Sequence, residues 1–233
     1  MLEALIYATL AGAAIPLGGF LASRERLAPG WLRDELRHTV IAFGGGALIA
    51  AVTLVLVPQG SVGLSAGAAI ACFCFGGAFF AWLDRQIATR AGPHGQLVAM
   101  LADFVPEAAA LGALFATGSD SAPLLAGLVA LQNLPEAFNA YRETQGRPAP
   151  GTRILLLFVA MAFLGPTSAL VGHLVLADAP VALGAIMVFA AGGILYLVFQ
   201  DIAPKVQLRN AWGPPLGAVA GFALGLAGQL WLG

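Results

Sequence analysis

Two short stretches of the chain place oxygen-bearing side chains inside apolar sequence. The first reads Leu101-Ala102-Asp103-Phe104-Val105-Pro106-Glu107-Ala108, the second Leu131-Gln132-Asn133-Leu134-Pro135-Glu136-Ala137. On a helix, Asp103 and Glu107 share one face, as do Gln132 and Glu136. Each proline removes a backbone donor and frees the carbonyl four residues earlier, at Ala102 and Leu131. Carboxylates, amide oxygens and freed carbonyls together suit an oxygen cage for a cation. A carboxylate near the centre of a membrane costs ~2.5–3.5 kcal/mol on insertion scales, so Asp103, Glu107 and Glu136 need compensation. Neither stretch holds a Lys, Arg or His at that depth. The acids therefore point to a positive charge from outside; the competing reading is that they are protonated or paired for structure.

Composition shows what must position these groups. The 233 residues are 59% hydrophobic and 10% charged, with a mean hydropathy of +0.87. Soluble domains run near 45–50% apolar and ~25% charged, so a water-soluble enzyme is excluded. A net charge of −1 offers nothing to nucleic acid. Two cysteines make no disulfide framework and no zinc cluster. The expectation is an all-α polytopic membrane protein embedded in a lipid bilayer, a single transmembrane domain over 1–233. A span needs ~20 mostly apolar residues. Eight such segments are expected, at roughly 2–22, 39–57, 62–83, 96–116, 122–141, 154–176, 181–200 and 213–232. The first lacks a basic start and carries Glu3, so it reads as a span and not as a signal peptide.

The basic residues set an orientation. Arg24, Arg26, Arg33, Arg37, Arg85, Arg90, Arg142, Arg147, Arg153, Lys205 and Arg209 all fall in or beside the loops after segments one, three, five and seven. The other three loops contain none. The positive-inside rule makes these loops cytoplasmic and puts both termini outside, periplasmic or extracellular. Short loops and a compact chain suit a prokaryotic inner membrane.

Glycines read as close helix contacts: Gly44, Gly45 and Gly46, Gly192 and Gly193, and Gly217, Gly221 and Gly225 on one face of the last helix. Gly46 and Gly192 each stand twelve residues before a proline, Pro58 and Pro204. With the assigned topology this is a weak sign of an inverted repeat of segments one to three and six to eight. Among other polar residues, His173 reads as interfacial or as a relay ligand, His38 as interfacial and His94 as a loop residue. Cys72 and Cys74 read as small buried hydrophobes. Asp201 reads equally as part of an exit path or as a partner of Lys205.

The paired Pro-Glu motifs on consecutive helices resemble the ZIP (Zrt/Irt-like protein) family of divalent-metal transporters. The resemblance runs through the whole chain and includes Leu56-Val57-Pro58-Gln59 and Asp201-Ile202-Ala203-Pro204. It implies a 3+2+3 bundle of eight helices with both termini outside, and suggests a homodimer, which the small-residue face of the last helix would permit. Asp103 stands where that family usually has histidine, Phe104 where it has asparagine, and Glu107 matches its glutamate. Gln132 and Asn133 take the two leading polar positions on the fifth helix, and Glu136 the glutamate. Gly165 precedes Pro166 where many members carry a glutamate. Phe104 and Gly165 thus delete ligands of a second metal position. A single-metal site of Asp103, Glu107, Gln132 and Glu136, with Asn133 able to add an oxygen, is what remains.

The resulting expectation is a carrier, not an enzyme. It has no prosthetic cofactor and moves a divalent cation into the cytoplasm. The resemblance implies zinc, iron or manganese as substrate, with cadmium also accepted. The oxygen ligands themselves favour harder ions such as Mn²⁺ or Mg²⁺. Two alternatives stand beside it: a ZIP-like protein that binds or senses metal without transport, and an intramembrane lipid-phosphate hydrolase using Glu107 and Glu136. The hydrolase needs arginines near those acids, and all arginines lie at the cytoplasmic boundary.

Overall fold

Apolar stretches of this length satisfy their backbone polar groups inside a membrane by forming helices. The computed structural model describes residues 1–24, 30–90, 95–144, 151–207 and 211–232, with the side chains of 30–34, 88–90, 95, 96, 99 and 232 left aside. Arg26, His94, Arg147 and Arg209, and the side chains of Arg33 and Arg90, lie outside the described residues. Helices cover all eight apolar stretches. We label them α1 (Leu2–Arg24), α2 (Gly30–Ala50, continued by Ala51–Leu56 and Val57–Ser61), α3 (Ala66–Arg90), α4 (Gly95–Ala116), α5 (Ala122–Thr144), α6 (Gly151–Ala162, Leu164–Val171 and Gly172–Leu176), α7 (Pro180–Leu197, continued by Val198–Ile202) and α8 (Gly213–Leu232). Among the described residues there is no strand. Five stretches are long and apolar enough to cross a membrane: Leu2–Arg24, Glu35–Ser61, Ala66–Ile87, Gly151–Leu176 and Pro180–Ile202. The protein is all-α, with the helices of a multi-pass membrane protein.

Helix pairs are brought together by glycines at which no side chain fits. A Cβ on Gly46 would overlap the Ala218 carbonyl and the Phe222 amide nitrogen, joining α2 to α8. A Cβ on Gly192 would overlap the Phe73 carbonyl and the Gly77 amide nitrogen, joining α7 to α3. The two contacts correspond residue for residue. Their reverse sides correspond as well: Gly221 of α8 sits on the Phe43 carbonyl, and Gly76 of α3 on the Phe189 carbonyl. The twelve-residue spacing to Pro58 and Pro204 therefore extends into a repeated packing unit. Gly217 and Gly225 also lie against α2, at Thr39 and Ala50. The small-residue face of α8 is thus a close helix contact within the chain, against α2, and is not open to a second copy.

Prolines explain where α2 and α7 widen. Neither Pro58 nor Pro204 has an N–H to continue the helical ladder. In both helices a wide π-type turn comes directly before it, at Ala51–Leu56 and Val198–Ile202. The Val57 N–H then reaches the Val52 carbonyl and the Ala203 N–H the Val198 carbonyl, each five residues back. Such turns recur at functional sites because they re-aim the side chains they carry.

α4 and α5 contact each other, and between them they touch α1, α2, α3, α6, α7 and α8. Phe104, Leu111, Leu125 and Leu128 of this pair are fully enclosed. By contrast α3 faces outward, exposing Ile70, Phe75 and Trp82. Cys74 is exposed on the same helix and Cys72 is half-buried. This corrects their reading as buried: α3 packs mainly through its glycine face on α7, and the cysteines point elsewhere.

Gly46→Val and Gly192→Val are expected to lower stability by about 1–3 kcal/mol each, as overpacking of a close contact does. Gly67→Ala, where a Cβ meets nothing within 4 Å, is expected to be neutral or slightly stabilising. Thermal unfolding of the purified variants in detergent measures both.

Candidate functional site

Helix periodicity turns the Asp103–Glu107 face of α4 toward the Gln132–Glu136 face of α5. Asp103 is 2% exposed, and Glu107, Gln132 and Asn133 are fully buried. The Gln132 Nε2 donates to Glu107 Oε2 at 2.5 Å, linking the two helices. Asp103 Oδ1 accepts from its neighbour's amide, Phe104 N, at 2.8 Å. Asn133 faces the other way, its Nδ2 donating to the Ala11 carbonyl of α1 at 3.3 Å. Both helices run unbroken through Pro106 and Pro135.

The acceptors left over are the defining feature. Glu107 Oε1, Gln132 Oε1, Asn133 Oδ1 and Glu136 Oε2 are buried without a hydrogen-bond partner among the described residues. An unsatisfied buried polar atom costs about 1–3 kcal/mol, more when charged. Four such oxygens lie on two adjoining helices, those of Glu107, Gln132 and Glu136 on the facing sides and that of Asn133 toward α1. Among the described residues no three His, Cys, Asp or Glu side chains converge to hold an ion. The oxygens come from a mixed set of carboxylates and amides, with Gln132 joining the two helices.

Phe104 and Gly165 are physically connected. A Cβ on Gly165 would lie 2.8 Å from Phe104 Cζ and 2.8 Å from the Ala8 carbonyl. Phe104 is fully buried, and its ring fills the space beside Gly165. Where the family resemblance implied two missing ligands, the structure has one aromatic ring seated on one glycine.

Glu136 opens onto a second feature. It lines a crevice of about 20 Å³ together with Ile41, Gly44, Pro135, Asn139, Asp201, Ile202 and Lys205. That is room for about one water. At the mouth, Lys205 Nζ donates to Glu143 Oε1 at 3.3 Å and lies 3.7 Å from Asp201 Oδ1. Asn139 Nδ2 donates to the same Glu143 oxygen at 3.1 Å, and Arg37 Nη2 donates to Asn139 Oδ1 at 3.2 Å. Sequence reasoning named Asp201 and Lys205 but missed Asn139 and Glu143. Their signal was spacing: positions 136, 139 and 143 share a helix face.

Other candidates fall elsewhere. His173, carried on the wide turn Gly172–Leu176, approaches the Gly112 carbonyl of α4 with its Nδ1 at 3.3 Å. It holds α6 to α4 away from the acids. Gln59, beside Pro58, donates to Ser121 Oγ at 3.0 Å. His38 is half-buried on α2.

No protein-family model matches the chain, and no curated protein matches it. The chemistry of the site therefore rests on its own residues.

Gly165→Ala should destabilise the protein by about 1–3 kcal/mol through overpacking. Phe104→Leu should relieve only part of that loss, because the Ala8 carbonyl still meets the new methyl group. A double-mutant cycle by thermal unfolding should show the two positions to be non-additive; additivity would mean that ring and glycine do not pack on each other.

Proposed function

We propose that this protein is a ZIP-like carrier that moves a divalent metal cation across a membrane into the cytoplasm. The observation that supports it is the set of four buried oxygens without donors on α4 and α5. A divalent cation satisfies several such oxygens at once, whereas a proton satisfies only one. The site would use Glu107, Gln132 and Glu136, with Asp103 beside them and Asn133 on the α1 side. Oxygen donors of this kind suit harder ions such as Mn²⁺ and Mg²⁺, while Zn²⁺, Fe²⁺ and Cd²⁺ enter the substrate class through the family resemblance. The ring of Phe104 over Gly165 favours one ion at a time.

The architecture of this reading is eight spans in a 3+2+3 arrangement, with both termini outside. The repeated contacts of Gly46 and Gly192 support it, since one unit would contain α1–α3 and the other α6–α8. α8 is bracketed by the exposed Trp212 and Trp231, ~28 Å apart along a helix and close to the hydrocarbon thickness of a bilayer. Tryptophans at both boundaries suit a spanning helix. The described basic residues cluster at the ends of α1, α3, α5 and α7 and the starts of α2 and α6, which supports a cytoplasmic side there. A prokaryotic inner membrane and a homodimer complete the proposal; a dimer would use a surface other than the glycine face of α8.

The test is uptake by proteoliposomes across Mn²⁺, Zn²⁺, Fe²⁺, Cd²⁺ and Mg²⁺. Glu136→Gln should lower binding and uptake by more than about tenfold, because a metal ligand is lost with its charge. A variant that transports like the parent would overturn the site, and binding without flux in the parent would favour a sensor. Uptake should also weaken as pH falls, since coordinating carboxylates must be deprotonated and metal binding releases their protons. Affinity measured by calorimetry at mildly acidic and neutral pH checks the sign; a constant value argues against carboxylate ligands.

A further inference from the structure

We infer that Lys205 is a tethered cation that locks the mouth of the Glu136 crevice, and that anything leaving Glu136 by this route must first displace its ammonium group. The inference deepens the transport reading and rests on it for the identity of what passes. The crevice carries Glu136 at its inner end and Lys205 and Asp201 at its outer end. At about 20 Å³ it holds one water and no hydrated ion. Lys205 bridges two helices, donating to Glu143 of α5 while facing Asp201 of α7 at 3.7 Å. The Glu143 oxygen is itself held by Asn139, which Arg37 of α2 holds in turn. Three helices are thereby drawn together over the acid.

The same contacts make the lock reversible. Lys205, Glu143 and Asp201 are 38%, 39% and 25% exposed in their side chains, so water screens the pairs and each is weak. Lys205 follows the wide turn Val198–Ile202 and Pro204, so the helical ladder is already interrupted where the lysine must swing. A divalent cation arriving from Glu136 would meet Asp201 and Glu143 already arranged around one positive charge. Exchange of the ammonium for the passing dication takes the mouth from a net −1 to neutral, because the dication balances both carboxylates, and the lysine returns once the ion has gone.

The test reads access without using metal. In a Cys72→Ala/Cys74→Ala background, Ile41→Cys places a thiol on the crevice wall at a position 7% exposed. A charged methanethiosulfonate reagent is applied to the purified full chain, and modification is followed by mass spectrometry. Val62→Cys, at a site 71% exposed, serves as the reference thiol. Lys205→Met should speed labelling of Ile41→Cys about fivefold and leave Val62→Cys unchanged, the scale expected when two half-exposed pairs stop opposing an opening. The Glu143→Gln/Asp201→Asn pair, which keeps the lysine and removes the charges of these two carboxylates, should do the same. Lys205→Arg should label as slowly as the parent. Equal rates with and without Lys205, or a rise that Val62→Cys shares in both the Lys205→Met and the Glu143→Gln/Asp201→Asn variants, overturn the lock. A parent protein that moves no metal would remove the transport reading and leave the labelling result standing, so the two fail separately.

Discussion

Buried oxygen without a donor is the constraint around which this molecule is arranged. Glu107, Gln132, Asn133 and Glu136 each keep an acceptor atom with no partner among the described residues, inside a bundle whose core is otherwise mostly apolar. In a low-dielectric interior such atoms are costly, and the surrounding packing has to offset that cost. The Gln132–Glu107 bond across α4 and α5 meets part of the demand. The rest stays open: Glu107 Oε1, Gln132 Oε1, Asn133 Oδ1 and Glu136 Oε2 keep their acceptor capacity.

Tight packing around α4 and α5 encloses the acceptors. α5 rests on α1 through small residues; a Cβ at Gly18 would meet the Leu134 carbonyl. α2 approaches the ring of Pro135 because Gly44 has no side chain there, a Cβ lying 2.5 Å from Pro135 Cγ. Without a hydrophobic driving force between helices in lipid, such backbone proximity is the main source of association. The glycines of α2, α7 and α8 therefore serve the polar site indirectly, by letting the helices close around it.

Polar order is concentrated at one end. Arg37, Asn139, Glu143, Lys205 and Asp201 form a chain of contacts where the wide turn of α7 ends. The opposite end of α5 has the lighter Gln59–Ser121 contact. The bundle is thus asymmetric in charge although its glycine contacts repeat.

Hydropathy and the spacing of charges marked the eight helical stretches, because a helix that must hide its backbone shows its length as an apolar run. The same pattern exposed Asp103, Glu107 and Glu136, since acids inside such runs have no ordinary explanation. The twelve-residue spacing from Gly46 and Gly192 to Pro58 and Pro204 hinted at the repeat. Only the folded chain gave that hint partners in Ala218 and Phe73. Tertiary structure alone turned Asn133 toward α1, seated Phe104 on Gly165, and used the glycine face of α8 on α2. It also brought Glu143 and Lys205 together across sixty-two positions of sequence. Periodicity states which residues share a face of one helix. Which helix that face meets depends on the packing of all eight, and that is settled by side-chain volume and close backbone approach between distant segments, which no local pattern records.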